Sequence, residues 1–179
     1  MKLKQLLLPV LVIALAAVIL LGASVILAET AEKKEQEDLD FLLSTLLPGS
    51  TAFEREEYTG EDAAIRAVYH AENGYVIETA TQGYVDEITM YVGVTNKGQV
   101  VGLVVDELHE TYGLGTKALT DTDFLAQFLG TSGDAVVGEN VDAITGATVT
   151  SKAVARCVNA AVAFVTGADS SSGATSWGG

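Results

Sequence analysis

One apolar segment near the N-terminus constrains this chain more than any other feature. Residues 6–28 carry no charged side chain. As a helix rising about 1.5 Å per residue, this segment is roughly 34 Å long, enough to cross a hydrocarbon core of about 30 Å. The apolar region of a cleaved signal peptide is shorter, about 7–15 residues. We therefore predict a transmembrane helix over residues 6–28, with cleavage near Ala23 or Ala28 as the alternative.

The charges give a topology for this span. Two lysines lie in residues 1–5 and two more, Lys33 and Lys34, follow the span closely. The positive-inside rule therefore gives nearly a tie, and the short leading segment favours a cytoplasmic N-terminus. All 24 acidic residues and eight of the ten basic ones follow the span, for a net charge of −16. This balance argues against nucleic acid as a partner. We predict an extracytoplasmic domain anchored in the cell membrane.

The cysteine and histidine content excludes several kinds of site. The chain has one cysteine, Cys157, and two histidines, His70 and His109. A single cysteine excludes an internal disulfide and every multi-cysteine zinc or iron–sulfur site. Two histidines also disfavour a metal site built on imidazole. Chemistry performed by this chain would therefore need a borrowed cofactor.

Residues 29–49 are predicted to form a juxtamembrane helix and linker. Leucines at positions 39, 42, 43 and 46 make an apolar stripe, and Pro48-Gly49 ends the helix. The Ser/Gly-rich residues 168–179 are predicted to form a flexible tail. The domain between them is residues 50–167.

Alternating and helical patterns predict an α+β fold for this domain. Strands are expected at residues 64–70, 74–81, 87–95 and 99–108, with a hairpin turn at Asn96-Lys97-Gly98. Helices are expected at residues 121–129 and from Thr148 to Gly167, the second with Cys157 on its buried face. Hairpins outnumber strand–helix–strand units, which favours α+β over a doubly wound fold.

The residues that open the last helix have the composition of an anion site. Within residues 142–151 there are four hydroxyl residues, one glycine and one acid: Thr145, Thr148, Thr150, Ser151, Gly146 and Asp142. Amide groups at a helix start attract phosphate, and a glycine lets the backbone approach it closely. Helix capping alone is the structural alternative.

Two segments resemble the FMN-binding domain family. Residues 142–148 are similar to its flavinylation motif: an Asp, two variable residues, Ser/Thr-Gly-Ala and the accepting Thr. Residues 109–117 resemble its upstream His-x-Glu-Thr-x-Gly-Leu-Gly segment, with one residue fewer between His and Glu and with Tyr112 where proline is frequent. The family includes the G subunit of the Rnf electron-transport complex and the C subunit of the sodium-pumping NADH:quinone reductase. The short chain resembles the Rnf protein more.

The resemblance implies a cofactor, its site and a maturation partner. FMN would be joined through its phosphate to Thr148 by a flavin transferase that uses FAD and a divalent cation. Asp142 would serve that transferase. The implied cofactor-binding residues around Thr148 are Thr145, Gly146, Ala147, Thr150 and Ser151. The flavin ring would lie over the upstream segment, with Thr111, Gly113, Leu114, Gly115 and Lys117. Besides Lys117, the cations near the motifs are Lys152 and Arg156.

The implied function is electron transfer in a membrane complex. The chain would relay electrons inside an ion-translocating ferredoxin:NAD oxidoreductase, with other membrane subunits as partners and no turnover alone. Two alternatives keep the flavin: a component of a quinone reductase and a free-standing extracytoplasmic carrier. A third is an anchored surface binding module without a cofactor. Residues 169–175 repeat the flavinylation motif, so Thr175 is a candidate second acceptor.

Overall fold

The computed structural model describes residues 30–107 and 119–168, which divide into two compact units between Phe41 and Leu42. Helix α1 spans residues 30–46, and residues 30–41 of it belong to the first unit. The side chains of residues 30–41 are almost all exposed. The second unit holds the sheet and the other helices. None of the helices in these two ranges is both long and apolar enough for a membrane crossing. The span predicted at residues 6–28 lies outside the described residues.

The second unit is built on a five-stranded antiparallel sheet. Each strand pairs with the next one along the chain, so the spatial order is the sequence order. The strands are β1 (Glu54–Glu56), β2 (Ile65–Ala71), β3 (Gly74–Gln82), β4 (Glu87–Thr95) and β5 (Val100–Glu107). The four predicted strands and the mixed sheet-and-helix architecture are confirmed. Strand β1 was not predicted, because its three residues are all charged and exposed and carry no alternation.

The main core lies between one face of the sheet and helix α3 (Thr148–Thr166). In β4 the side chains of Ile88, Met90 and Val92 are fully buried against this helix, as the alternation predicts. Helix α3 ends at Gly167, whose φ of 68° is the left-handed conformation that commonly terminates helices. The predicted bounds of this helix are therefore confirmed.

The opposite face of the sheet is covered by the end of helix α1. Leu43, Leu46 and Leu47 are buried, and a Cβ placed on Gly93 would collide with the carbonyl oxygen of Leu46. A glycine in β4 is needed because the leucine segment lies directly on the backbone of the strand. The helix ends before Pro48, as predicted.

The direction of α3 determines what lies beside its first residue. The Thr81 hydroxyl, near the end of β3, donates a hydrogen bond to the Ala153 carbonyl (3.1 Å). At the other end of the helix, a Cβ on Gly98 in the β4–β5 turn would meet Thr166. Helix α3 therefore runs antiparallel to β3. Its start lies at the end of the sheet that holds the β3–β4 turn (residues 83–86) and the last residues of β5, which we call the motif end.

Helix α2 (Thr122–Ala126) is short and firmly anchored. The Asp121 side chain caps it by accepting hydrogen bonds from the Asp123 and Phe124 amides (3.1 Å each). Phe124 and Phe128 are buried and contact each other edge to face, with ring centroids 5.3 Å apart. The helix is shorter than predicted because Gln127 and the residues after it bond to carbonyls three residues back, in 3₁₀ turns.

Candidate functional site

The motif loop, residues 142–151, sorts its hydroxyl groups into exposed and buried positions. Thr145 and Thr148 are exposed, as are Asp142 and Gly146. Thr150 and Ser151 are fully buried. Because Thr148 is the first residue of α3, its side chain stands at the start of the helix. The residue identified from the resemblance as the acceptor is therefore accessible to a large partner.

The side chain of Ser151 holds the motif loop through two hydrogen bonds. Its Oγ accepts a hydrogen bond from the Ile144 amide (3.2 Å) and donates one to the Ala147 carbonyl (2.9 Å). The Ala147 amide in turn donates to the Ile144 carbonyl (2.9 Å), which closes a turn through Gly146. Gly146 has a φ of 82°, a conformation that costs other residues about 1–2 kcal/mol. The glycine of the motif is thus required by the turn itself.

Helix α3 starts without a side-chain cap. Its N-cap residue is Ala147, and the Ser151 amide makes the first bond of the helix, to the Ala147 carbonyl (2.9 Å). The amides of Thr148 and Val149 therefore precede the helical ladder and have no carbonyl acceptor within it. Such amides carry the positive end of the helix dipole, which favours a negative group at the Thr148 side chain.

The cations near the motif have different roles. Lys152 is exposed and follows Thr148 by four residues, so the two side chains share one face of α3. Arg156 instead pairs with Asp62 (Nη2 to Oδ1, 2.9 Å), with both side chains largely buried. Lys152 is therefore the cation on the helix that is placed to face a negative group on Thr148.

Sequence reasoning missed Gln127. The Asp142 amide donates to Gln127 Oε1 (2.8 Å), and Gln127 Nε2 donates to the Asp142 carbonyl (3.3 Å). The side-chain amide thus pairs with the backbone of the first motif residue, as one strand pairs with another. No local pattern predicts this contact, because its partners are 15 residues apart in sequence and the backbone of any residue could accept it.

A second amide side chain holds the segment before the motif. Asn159 is 4% exposed and pairs with Ala135, accepting from its amide (3.2 Å) and donating to its carbonyl (2.9 Å). Here the sequence did carry a signal: a polar Asn stands among apolar residues on the buried face of the last helix. A buried amide must find partners, which a loop backbone supplies.

The upstream segment, residues 109–117, lies outside the described residues. Thr111, Gly113, Leu114, Gly115 and Lys117 all fall within residues 108–118, and Thr175 falls after residue 168. The described chain reaches that segment from the motif end, where the backbone of Glu107 is opposite Thr89.

The β3–β4 turn adds exposed apolar surface to the motif end. Tyr84 is 69% exposed and Val85 is 53% exposed, although both are large apolar side chains. This turn and the start of α3 lie at the same end of the sheet, so the exposed Tyr84 and the exposed Thr148 both belong to the motif end.

Cys157 has the structural place predicted for it. It is fully buried on α3, with its Sγ 3.4 Å from the Thr81 hydroxyl. Burial raises the pKa of this thiol above its ordinary value. The folded protein therefore holds the thiol proton at pH values where the unfolded chain has lost it.

This gives a pH dependence of stability. The contribution of Cys157 is fully present below the unfolded thiol pKa of about 8.5, and above it the free energy of unfolding falls by up to about 1.4 kcal/mol per pH unit. We expect urea denaturation between pH 8 and pH 10 to show this decline. Cys157→Ala should remove this part of the slope. An equal slope in the variant would contradict the assignment.

Comparison with known proteins identifies the family. Residues 83–163 match the FMN-binding domain. The G subunit of the proton-translocating ferredoxin:NAD(+) oxidoreductase complex of Clostridium ljungdahlii is 38% identical over 99 residues, 51% of this chain and 53% of that protein. Its Na(+)-translocating counterpart from Acetobacterium woodii is 34% identical over 98 residues, 50% of this chain and 47% of that protein. This chain thus spans about half the length of these two relatives.

The match to a third relative is longer. The G subunit of the ion-translocating oxidoreductase complex of Vibrio cholerae is 30% identical over 164 residues, 77% of this chain and 78% of that protein. The matched FMN-binding domain runs from the β3–β4 turn through most of helix α3 and so includes the motif end. This chain belongs to the family of G subunits of ion-translocating oxidoreductase complexes, and residues 83–163 are its FMN-binding domain.

Proposed function

We propose that this protein is a membrane-anchored electron carrier that holds FMN as a phosphoester on Thr148 and works within an Rnf-type ferredoxin:NAD oxidoreductase complex. The observation that carries this proposal is the exposed Thr148 hydroxyl at the uncapped start of α3, inside the matched FMN-binding domain. A threonine needed only for packing or capping would be buried or would stand at the N-cap, where Ala147 is found.

The helix start fits a phosphate. The amides of Thr148 and Val149 and the exposed ammonium of Lys152 supply positive charge on the side where the phosphoester would lie. The left-handed Gly146 keeps the preceding turn narrow and carries no side chain that would crowd a phosphate. These residues would hold the phosphate by charge and hydrogen bonding.

The motif end also fits a flavin ring. Tyr84 and Val85 present exposed apolar surface at the same end of the sheet as the start of α3. The upstream segment, with Leu114 and its flanking glycines, follows β5 from this same end. We propose that the ring lies between these two segments, shielded from water.

In the attachment step, Thr148 Oγ1 would be the nucleophile toward the FMN phosphorus of FAD, forming an Oγ–P bond while the bond from that phosphorus to the bridging oxygen breaks. AMP would leave with the bridging oxygen and its electron pair, and the hydroxyl proton would pass to a base of the flavin transferase. When bound, FMN supplies the redox chemistry, and the protein supplies position and environment.

The charge of the chain supports a covalent link. After residue 28 there are 24 acidic and eight basic residues, a net charge of −16. Such a field opposes the binding of free FMN, whose phosphate monoester carries nearly two negative charges. A phosphodiester carries about one charge, and the bond prevents dissociation.

The setting of the carrier is proposed from its relatives and its sequence. Residues 6–28 would anchor it in the cell membrane with a cytoplasmic N-terminus and the flavin domain outside. The Clostridium ljungdahlii and Acetobacterium woodii relatives are named as components of ferredoxin:NAD(+) oxidoreductase complexes. We propose the same kind of complex here, with other Rnf-type subunits as partners.

Purification from native membranes tests this proposal. We expect a yellow chain that co-purifies with membrane subunits carrying iron–sulfur and further flavin centres. The complex should transfer electrons from ferredoxin to NAD, and the isolated chain should not. A flavin-bearing chain that purifies alone would contradict the Rnf assignment, and a colourless chain would contradict the flavin assignment as well.

A further inference from the structure

We propose that Gln127 is a positioning residue for flavin attachment: its side-chain amide pins the backbone of Asp142 and thereby holds the motif loop in the conformation that presents Thr148. This inference rests on the proposed function. It concerns a residue outside the motif, 15 positions before Asp142.

The Gln127 side chain makes two hydrogen bonds to the backbone of Asp142. Gln127 Oε1 accepts from the Asp142 amide (2.8 Å), and Gln127 Nε2 donates to the Asp142 carbonyl (3.3 Å). Two hydrogen bonds from one planar group fix both the position and the orientation of the peptide they grip. The Asp142 carboxylate is left exposed, where it can meet a partner.

Gln127 is itself rigidly mounted. It stands at the C-cap of α2 and directly precedes Phe128, whose buried ring packs on that of Phe124, and the helix start is fixed by the Asp121 cap. Its side chain therefore fixes the Asp142 peptide relative to α2.

The loop is held at two separate points. Gln127 grips its first residue, while Ser151 ties Ile144 to Ala147 in its middle. Ser151 lies within the motif neighbourhood and controls the turn next to Thr148. Without Gln127, Val141 still anchors the chain in the core on one side of Asp142, and Ser151 still holds Ile144 on the other. The peptide of Asp142 itself loses the two hydrogen bonds that set its orientation.

Loss of this grip should weaken recognition of the motif. For a transferase that binds one loop conformation, the apparent affinity is the intrinsic affinity multiplied by the fraction of molecules in that conformation. Losing the net stabilisation of one typical hydrogen bond lowers the equilibrium constant for the held conformation by about 2- to 10-fold. We therefore expect the KM for this chain to rise by up to about that factor while kcat stays unchanged.

Transfer kinetics test the inference. Purified full-length chain, flavin transferase, FAD and Mg²⁺ are mixed, and the initial rate of covalent flavin formation is measured against chain concentration. Gln127→Met keeps the side-chain size and removes both hydrogen bonds. Gln127→Glu keeps an acceptor for the Asp142 amide and loses the donor. Gln99→Met is the matched control, because Gln99 bonds the Gly130 carbonyl (3.5 Å) and not the motif.

The outcomes separate this inference from the function on which it rests. A raised KM in both Gln127 variants, with kcat and the thermal midpoint close to those of the parent and of Gln99→Met, supports it. Faster exchange of the Asp142 amide hydrogen in Gln127→Met would show that its hydrogen bond to the side chain was lost. An unchanged or lowered KM with that faster exchange overturns the inference alone. A parent chain that accepts no flavin overturns the proposed function.

Discussion

Thr148→Ala is expected to abolish covalent flavin while leaving the fold intact. The side chain supplies the only oxygen through which the proposed ester can form at this position. Because Thr148 is exposed, its truncation should change the free energy of unfolding by less than about 0.5–1 kcal/mol. The expected result is a complete loss of flavin fluorescence from the protein band in a denaturing gel, with an unchanged far-UV circular dichroism spectrum.

Two further variants make this prediction specific. Thr145→Ala changes a second exposed threonine of the same loop and should keep the fluorescent band. Thr175→Ala removes the candidate acceptor in the tail and should also keep it. A Thr148→Ala band as fluorescent as the parent would contradict the assignment, above all if the fluorescence disappeared when Thr175→Ala was added.

The largest stability effect is expected from Phe128→Ala. Phe128 is fully buried and packs edge to face on Phe124, so its truncation leaves a cavity beneath α2. Substitutions of this kind cost about 3–5 kcal/mol, a large part of the stability of a small domain. Urea denaturation should show a much lower midpoint with a similar slope.

The neighbouring residue provides the control. Leu129 is 50% exposed, so Leu129→Ala removes a side chain of similar chemistry with little burial. Its cost should stay below about 1 kcal/mol. Equal destabilisation by the two substitutions would mean that the phenylalanine pair does not anchor α2, and the argument for Gln127 would lose its support.

The fold was predictable where one local pattern determined it. The alternation of Ile88, Met90 and Val92 indicated a strand with one buried face, and glycines at turns and helix ends marked the boundaries. What could not be predicted depends on contacts that are distant in sequence. Strand β1 exists because its charged residues pair with β2, and Gly93 is required because Leu46 lies on it.

The candidate site divides in the same way. The flavinylation motif could be recognised in the sequence because its residues are consecutive, from Asp142 to Thr148. The grip of Gln127, the engagement of Arg156 by Asp62 and the exposure of Tyr84 at the motif end follow from tertiary packing. No local pattern encodes them, since the first two join a polar residue to a partner distant in sequence and the third depends on what the fold leaves uncovered.

Mass spectrometry of a tryptic digest tests the central claim most directly. Trypsin places Thr148 in the peptide of residues 118–152 and Thr175 in that of residues 157–179, so the two candidate acceptors separate. For protein taken from its native membrane, we predict that the first peptide is heavier by one FMN less one water, with fragment ions that place the addition on Thr148. An unmodified 118–152 peptide as the main species would contradict the account.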